Sequence, residues 1–308
     1  MLNRNAFEMV ELLHAEADTR RLIPHDVSGA SSLDCGIACD GGIETGLDLA
    51  WIGMGGLGQV DLVPTADGLA VQVRSDAPVR ACLSSQYAGW PISIDGYFAM
   101  GSGPMRAIHA SESIFREVPH AEESPVAVGV LETRQMPTPE VVAWLAAELK
   151  MPAESIHLLV APTASLAGTI QVVARCLETC LHKLHALKFP LDAIVSGTGI
   201  APMPPIGRKD IQSIGWTNDA ILYGGTATLW VRCDDDVIAE VGPKVPSSAS
   251  ADYGSPFGEI FRRYGHDFYK IDPLLFSPAR VTFYNLTSGR TFHFGALDPA
   301  VMAKSFGT

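Results

Sequence analysis

The residues whose types and spacing could do chemistry lie in a helical pattern between positions 161 and 187. Four polar residues recur there at i, i+4, i+7 and i+11, namely Gln171, Arg175, Glu178 and His182. This spacing places them along one face of a helix, with Arg175 and Glu178 about 60° apart around its axis. A guanidinium held beside a carboxylate could supply one acid–base group. The pattern also allows a simpler interpretation, a solvated face whose ion pair is worth only a few tenths of a kcal/mol.

A second stripe on the same pattern predicts how this face is held. Apolar residues recur at steps of three and four, which is typical of a helix that packs one side on a core. They are Ile170, Val173, Leu177, Leu181, Leu184 and Leu187. The stripe predicts one long helix, and Lys188-Phe189-Pro190 is the predicted domain boundary.

The surrounding elements favour the α/β fold class. Residues 126–131 and 156–160 read as buried strands on either side of an amphipathic helix over residues 139–150, which is the pattern of a βαβ unit. A chain of 308 residues is long enough for two packed domains. We expect an N-terminal α/β domain, 1–188, that includes the long helix, and a C-terminal α/β domain, 189–308, whose last segment can return to the first.

Composition excludes several classes of partner. The formal net charge is −12, and no run of five basic residues occurs, which argues against binding to nucleic acid or to anionic membranes. The N-terminus carries acidic residues within its apolar pattern, and no apolar run approaches eighteen residues, so neither a signal peptide nor a membrane span is predicted. We therefore expect a cytoplasmic protein whose six cysteines are reduced.

Three glycine-rich segments are candidate ligand sites. Gly53, Gly55 and Gly58 have the spacing of a dinucleotide fingerprint, but a strand-like segment ending at Pro64 follows them where that fingerprint requires a helix. At residues 100–104 an apolar segment runs into a predicted helix over residues 104–115, with Arg106 in its first turn. That start suits an anion or a polar ring edge, or is an ordinary junction. Residues 197–205 read as a loop that lines a site.

Metal and nucleophile motifs are weak. Two cysteine pairs with four-residue spacing, Cys35 with Cys39 and Cys176 with Cys180, do not match a zinc knuckle, and buried inert thiols are the default. The sequence contains no G-x-S-x-G motif that would make Ser102 or Ser165 a nucleophile. This inventory suits a site that is shaped around a reactive organic molecule and supplies one acid–base group.

Long segments of the chain resemble the methenyltetrahydromethanopterin cyclohydrolase family. They are MGGLG (54–58), DGYFAMGSGPMRA (95–107), LLVAPTASLAGTIQVVARCLET (158–179), GTGIAPMPP (197–205), TNDAILYGGT (217–226), DYGSPFGEIF (252–261) and DFYKIDPLLFSPARV (267–281). These segments span nearly the whole chain in the family's order. The resemblance implies two α/β domains with mixed sheets, with the active site in an interdomain cleft, and a homotrimer that needs no metal or redox cofactor.

The resemblance also implies the reaction and the residues that perform it. Members of the family add water to the methenyl bridge of a pterin carrier, in methanogenesis and in methylotrophy, and so form the 5-formyl compound. The family's catalytic arginine and glutamate fall on Arg175 and Glu178. Glu178 is then expected to place and deprotonate the water, while Arg175 keeps Glu178 ionised and stabilises the intermediate.

Other residues of the matching segments are candidates for holding the pterin. We expect substrate contacts from Gly55, Gly56, Gly101, Ser102, Gly103, Arg106, Thr163, Ser165, Thr198, Gly199, Asn218, Asp219 and Tyr223. The substrate is methenyltetrahydromethanopterin or a dephosphorylated relative. Two alternatives remain at this point: a pterin-binding subunit without catalysis, and another one-carbon enzyme on the same carrier, such as a dehydrogenase or a formyltransferase.

Overall fold

The computed structural model describes residues 1–118 and 121–307. The chain forms two compact units, the first made of Met1–Gly58 and Arg80–Gln171 and the second of Gln59–Val79 and Val172–Thr308. These limits differ from the predicted domains, 1–188 and 189–308, because a hairpin from the first half of the chain and the helix after residue 175 pack with the second sheet. The predicted domain limits themselves stay a prediction.

Strands and helices alternate along the described residues. The strands are β1 (Ile23–Val27), β2 (Ala30–Asp34), β3 (Gln59–Thr65), β4 (Gly68–Ser75), β5 (Trp90–Ile94), β6 (Tyr97–Ser102), β7 (Ala127–Glu132), β8 (Ile156–Val160), β9 (Ile194–Pro202), β10 (Thr226–Val231), β11 (Arg280–Asn285) and β12 (Thr291–Gly295). The α-helices are α1 (Leu2–Ala15), α2 (Ala17–Arg20), α3 (Ile43–Gly53), α4 (Pro78–Ala81), α5 (Met105–His109), α6 (Pro139–Leu149), α7 (Leu166–Val173), α8 (Cys176–Ala186), α9 (Asp210–Gly224), α10 (Asp235–Val241), α11 (Phe257–Arg263) and α12 (Pro299–Phe306). None of these helices meets the length and apolarity that a membrane crossing requires.

The first unit is built on a six-stranded mixed sheet with the order β1-β2-β8-β7-β6-β5. Strands β2, β8 and β7 are parallel, and α6 connects β7 to β8, so the predicted βαβ unit is confirmed. Alternate residues of β7 face opposite layers: Val128 and Val130 pack with α1 and α3, whereas Ala127 and Leu131 pack with α6. Both faces of the central strands are therefore buried, as in other parallel sheets.

The second unit is built on another six-stranded mixed sheet, with the order β12-β11-β10-β9-β4-β3. Only β10 and β11 pair in parallel, and the other neighbouring strands are antiparallel. Strands β11 and β12 form an antiparallel hairpin at the edge of this sheet. Helix α8 packs against β9, β10 and β4. The predicted α/β fold class with mixed sheets is confirmed.

Three predicted elements differ from the structure. The helix predicted over residues 104–115 stops at His109, because Ala110 adopts the left-handed conformation. The segment 197–202, predicted as part of a loop, continues β9 as regular strand. The long helix predicted through residue 187 is interrupted: α7 ends at Val173 and α8 begins at Cys176.

Candidate active site

The break between α7 and α8 sets the position of the Arg175–Glu178 pair. Arg175 is the N-cap residue of α8, with φ −79° and ψ 6°, and its carbonyl oxygen accepts the first helical hydrogen bond, from the Thr179 amide at 2.8 Å. Glu178 lies in the first turn of α8. The partial positive charge at a helix N-terminus favours a carboxylate there. The place of Glu178 in the helix therefore suits a negatively charged side chain.

Both side chains are buried, which contradicts the interpretation of a solvated face. Arg175 is 7% exposed and Glu178 is 3% exposed, and Gln171 on the same stripe is equally inaccessible. A buried charge is costly unless it is paired or hydrogen-bonded, so such residues are seldom placed in a protein interior without a role. The apolar stripe is also confirmed, since Ile170, Leu177 and the other members up to Leu184 are fully buried.

The start of α8 lies directly on the second sheet. Cys176 is fully buried, and its thiol donates weak hydrogen bonds to the carbonyl oxygens of Ile200 at 3.5 Å and Thr226 at 3.7 Å. Burial raises the pKa of this thiol to about 12, so it stays protonated at neutral pH. Leu177 packs against Gly197 and Gly199 of β9. The elements of this unit therefore fix the helix turn that carries Arg175 and Glu178.

Thr198 and Gly199 are not in the loop that the sequence predicted. Both belong to β9 and point to opposite faces of its sheet. The Thr198 hydroxyl donates a hydrogen bond to the Val73 carbonyl at 2.8 Å, while Gly199 is buried beneath α8. Gly199 therefore supports the helix that carries Arg175 and Glu178. The predicted contacts of Thr198 and Gly199 with the substrate stay predictions.

Asn218, Asp219 and Tyr223 of α9 have protein partners within their own unit. The Asn218 side-chain amide donates to a carbonyl of the same helix at 2.8 Å. The Asp219 carboxylate accepts hydrogen bonds from the Phe257 amide at 2.7 Å and from the Ser305 hydroxyl at 2.5 Å. The Tyr223 hydroxyl donates to a carbonyl at 2.6 Å. Asp219 thus holds α9 to α11 and α12. The predicted contacts of all three residues with the pterin stay predictions.

All three nitrogen atoms of the Arg106 guanidinium donate hydrogen bonds within the first unit. Its side chain is 0% exposed, and its Nε and Nη2 atoms bind the two carboxylate oxygens of Glu112 at 2.8 and 2.7 Å. Its Nη1 atom donates to the carbonyl oxygens of Leu83 and Ser85, and the guanidinium lies over the Tyr87 ring. A guanidinium with this many partners holds neighbouring loops together. The predicted contact of Arg106 with the substrate stays a prediction.

Gly55 and Gly56 end α3. The Gly56 amide donates to the Trp51 carbonyl and the Gly55 amide to the Ile52 carbonyl, which together form a Schellman motif. Gly55 has φ +62°, and a Cβ atom there would lie 2.5 Å from the Leu2 side chain. The strand β3 follows these glycines, which confirms the predicted strand where a dinucleotide fingerprint would require a helix. Both glycines are explained by the packing of α3 on α1.

Gly101, Ser102 and Gly103 lie at the end of β6 and beyond it. The Ser102 hydroxyl donates to the Val130 carbonyl at 3.3 Å. Gly103 has φ +89°, and its amide donates to the Ser85 carbonyl at 2.9 Å. Ser102 is buried within its sheet, so it has no place as a serine nucleophile. The predicted pterin contact of this turn stays a prediction.

Ser165 and Thr163 shape the turn that leads into α7. The Ser165 hydroxyl accepts a hydrogen bond from the Gly168 amide at 3.0 Å and donates to the Pro162 carbonyl at 2.8 Å, which makes Ser165 the cap of this helix. Thr163 contributes its carbonyl oxygen, which accepts from the Thr169 hydroxyl at 2.9 Å. Both side chains are buried. Their contact with the substrate stays a prediction.

Sequence reasoning missed Asp34, which organises the neighbouring turn. Its carboxylate accepts hydrogen bonds from the amides of Gly36, Ile37 and Ala38 at 2.6 to 2.9 Å. Burial alone would raise the pKa of Asp34, but these amides hold it below the usual value. A Cβ atom on Gly36 would lie 2.6 Å from Ser165, so the two turns are in contact. The Asp-Cys-Gly sequence after a strand is the signal that could have indicated this turn.

The cysteines and histidines do not form a metal site in the described part of the chain. The six cysteines are present as thiols, and burial raises the pKa of Cys39 to about 11. Within residues 1–118 and 121–307, no three His, Cys, Asp or Glu side chains are close enough together to hold a metal ion.

Comparison with known proteins gives full-length matches. The profile of the family described as Cyclohydrolase (MCH) covers residues 1–306. A Rhodopirellula baltica protein named methenyltetrahydromethanopterin cyclohydrolase is 47% identical over 99% of this chain and 95% of its own length. Proteins of the same name from Xanthobacter autotrophicus and Methanosarcina barkeri are 47% and 39% identical over 97% and 96% of this chain, and 90% and 95% of their own lengths. On a match that extends from the first helix to the last, the chain belongs to the Cyclohydrolase (MCH) family.

Proposed function

We propose that this protein hydrates the methenyl bridge of methenyltetrahydromethanopterin, or of a dephosphorylated relative, to give the 5-formyl compound. The observation that carries the proposal is the full-length similarity to proteins named for this reaction, together with a buried arginine and glutamate at the start of α8. The substrate carbon lies between two nitrogens of a cationic amidinium. It is therefore electrophilic before the protein contributes anything.

Glu178 is the group that we assign to the attacking water. An ionised carboxylate accepts a hydrogen bond from the water, orients its lone pair toward the bridge carbon and takes its proton as the new bond forms. A negative charge at this position also attracts the cationic substrate. Burial strengthens both effects because little solvent competes with them.

Arg175 acts through Glu178 and on the intermediate. Its fixed positive charge, three residues before Glu178, favours the ionised carboxylate. It can also stabilise charge that develops on the oxygen of the tetrahedral intermediate. Because Arg175 is the N-cap residue, its side chain extends from a fixed backbone position at the N-terminus of α8.

The proposed hydration proceeds in two steps, addition of water and opening of the ring. Water forms a carbon–oxygen bond to the methenyl carbon, and Glu178 receives one proton. The hydroxyl of the intermediate then loses its remaining proton as the bond to the aryl-bearing nitrogen breaks, and that nitrogen takes a proton from Glu178. One proton is released overall, because a cation and water become a neutral formyl compound. No electron is transferred, so the reaction needs no redox cofactor. Because the cationic amidinium carbon is already electrophilic, we propose that it needs no metal either.

We also propose the setting in which the enzyme works. The resemblance to the family supports a cytoplasmic homotrimer that takes part in one-carbon metabolism. The formal net charge of −12 supports a small-molecule partner over nucleic acid or an anionic membrane surface.

The activity test is spectroscopic. Purified protein is mixed with the methenyl carrier, with a chelator present and no nucleotide added, and the loss of the methenyl chromophore is followed. We expect turnover that is proportional to protein concentration. A pterin-binding subunit would only shift the spectrum in proportion to its own amount, and a dehydrogenase would require a nicotinamide nucleotide. Either result would contradict the proposal.

The role of Glu178 is tested by a charge-removing substitution. We expect Glu178→Gln to keep the fold and lower kcat by about 100- to 10,000-fold, the range that a general base contributes. Glu240→Gln is the matched control, because Glu240 is 79% exposed at the end of α10. Circular dichroism checks the fold of both variants. Turnover of Glu178→Gln at the rate of Glu240→Gln would remove Glu178 from the mechanism.

A further inference from the structure

Gly199 of β9 lies directly beneath the first turn of α8. A Cβ atom at this position would lie 2.7 Å from the backbone nitrogen of Leu177 and 3.2 Å from the carbonyl carbon of Cys176. Real Cβ atoms essentially never approach another heavy atom within 3.0 Å. Both neighbours are backbone atoms, which cannot rotate away as the end of a side chain can. Any other residue at 199 would therefore displace the start of α8 from the strand.

Gly197 offers a direct comparison on the same face of the same strand. A Cβ atom there would lie 2.9 Å from Cδ1 of Leu177 and 3.1 Å from Cδ2 of Leu229. Both neighbours are the ends of side chains, which can move to another rotamer at modest cost. A side chain at 197 would thus displace the ends of other side chains, whereas one at 199 would displace the helix backbone.

The Cys176 side chain holds the start of α8 against two adjacent strands, β9 and β10. Its sulfur contacts the carbonyl oxygens of Ile200 and Thr226, which belong to adjacent strands. A Cβ atom on Gly225 would lie 3.1 Å from the same sulfur, so there is no free space toward β10 either. The first turn of α8 therefore cannot shift along the sheet to escape a larger residue at 199.

We infer that Gly199 is a positioning residue for the hydration reaction, because it sets how closely the helix turn bearing Arg175 and Glu178 approaches β9. The inference rests on the function proposed above for those two side chains. Arg175 precedes Cys176 and Glu178 follows Leu177, so a displacement of the intervening backbone moves both groups. A misplacement of about 1 Å at the reacting groups costs on the order of 100-fold in rate.

The kinetic test compares alanine at the two glycines. We expect Gly199→Ala to lower kcat by about 10- to 100-fold with KM changed by less than about threefold, because Arg175 and Glu178 move while the rest of the site is unchanged. Gly197→Ala is the matched control, and we expect its kcat within about threefold of wild type. Both are assayed by loss of the methenyl chromophore.

A second readout reports the helix position without relying on activity. Cys176 is labelled with a thiol reagent and quantified by mass spectrometry beside Cys82, a fully buried thiol of the first unit. In Gly199→Ala we expect Cys176 to react at least about tenfold faster while Cys82 is unchanged, since only the local contact is opened. A merely destabilised protein would expose both thiols.

The outcomes separate this inference from the proposed function. Wild-type kcat in Gly199→Ala, or equal acceleration of labelling at Cys82 and Cys176, would overturn the positioning role while the wild-type enzyme stays active. A wild-type protein that never consumes the methenyl carrier would instead overturn the proposed function. A loss of kcat together with selective labelling of Cys176 supports the inference.

Discussion

Asp219 illustrates how a buried acidic residue can belong to the scaffold instead of the chemistry. Burial raises its pKa to about 7, more than the hydrogen bonds from Ser305 and the Phe257 amide lower it. A pKa near neutrality in a buried carboxylate is also what a catalytic acid would have. Here both carboxylate oxygens are used to hold α9 to neighbouring helices. The partners of the group, and not its pKa, indicate its role.

This environment makes stability depend on pH. In the unfolded chain the Asp219 pKa returns toward 3.8, so between about pH 4 and pH 7 the folded state binds the additional proton. Stability from this group is therefore full below about pH 4, falls as pH rises to about 7 and is constant above. We expect Asp219→Asn to remove that decline, which is on the order of a few kcal/mol.

The measurement is a series of urea unfolding midpoints for wild type and Asp219→Asn from pH 4.5 to 8. We expect the urea midpoint of Asp219→Asn to increase relative to that of wild type as the pH rises. Asp236→Asn, at an exposed position, serves as the control and should follow the wild-type curve. Parallel curves for wild type and Asp219→Asn would show that this carboxyl group does not hold an extra proton in the folded state.

At the scale of elements, the two helices α7 and α8 show which features the sequence could predict. The apolar stripe was sufficient to predict their buried side and their contact with a core. It could not reveal the break at Ala174 and Arg175, because the helical spacing of apolar residues continues across it. The loop predicted at the glycines of β9 was wrong for a related reason. Their local sequence is typical of a loop, but pairing with β4 and β10 and the close packing of α8 make this segment a strand.

Ser165 tests whether a predicted substrate contact is instead a helix cap. Removing an N-cap hydroxyl costs about 1 kcal/mol in typical helices. We expect Ser165→Ala to lower the free energy of unfolding by about this amount while KM changes by less than about twofold. Urea unfolding and the chromophore assay measure the two quantities. A large rise in KM with unchanged stability would return Ser165 to the substrate site.

At the scale of the whole molecule, the resemblance to the family implies a homotrimer. Only 18% of the residues are charged and 47% are hydrophobic, which is consistent with subunits that bury part of their surface. We expect light scattering after gel filtration to give about three times the chain mass of 32.9 kDa, and to do so at micromolar concentration. A mass equal to one chain would contradict the predicted assembly.

The placement of the hairpin β3–β4 has a consequence for biosynthesis. The neighbour of β4 on the inner side of the sheet, β9, does not leave the ribosome until about 120 residues after β4 has emerged. Until then one side of β4 keeps unsatisfied backbone amides and carbonyls, in a nascent chain whose first unit is also incomplete. During this interval the unpaired edge of β4 is prone to aggregation. A chaperone, or a slowly translated stretch of codons, would protect the nascent chain most effectively at this stage.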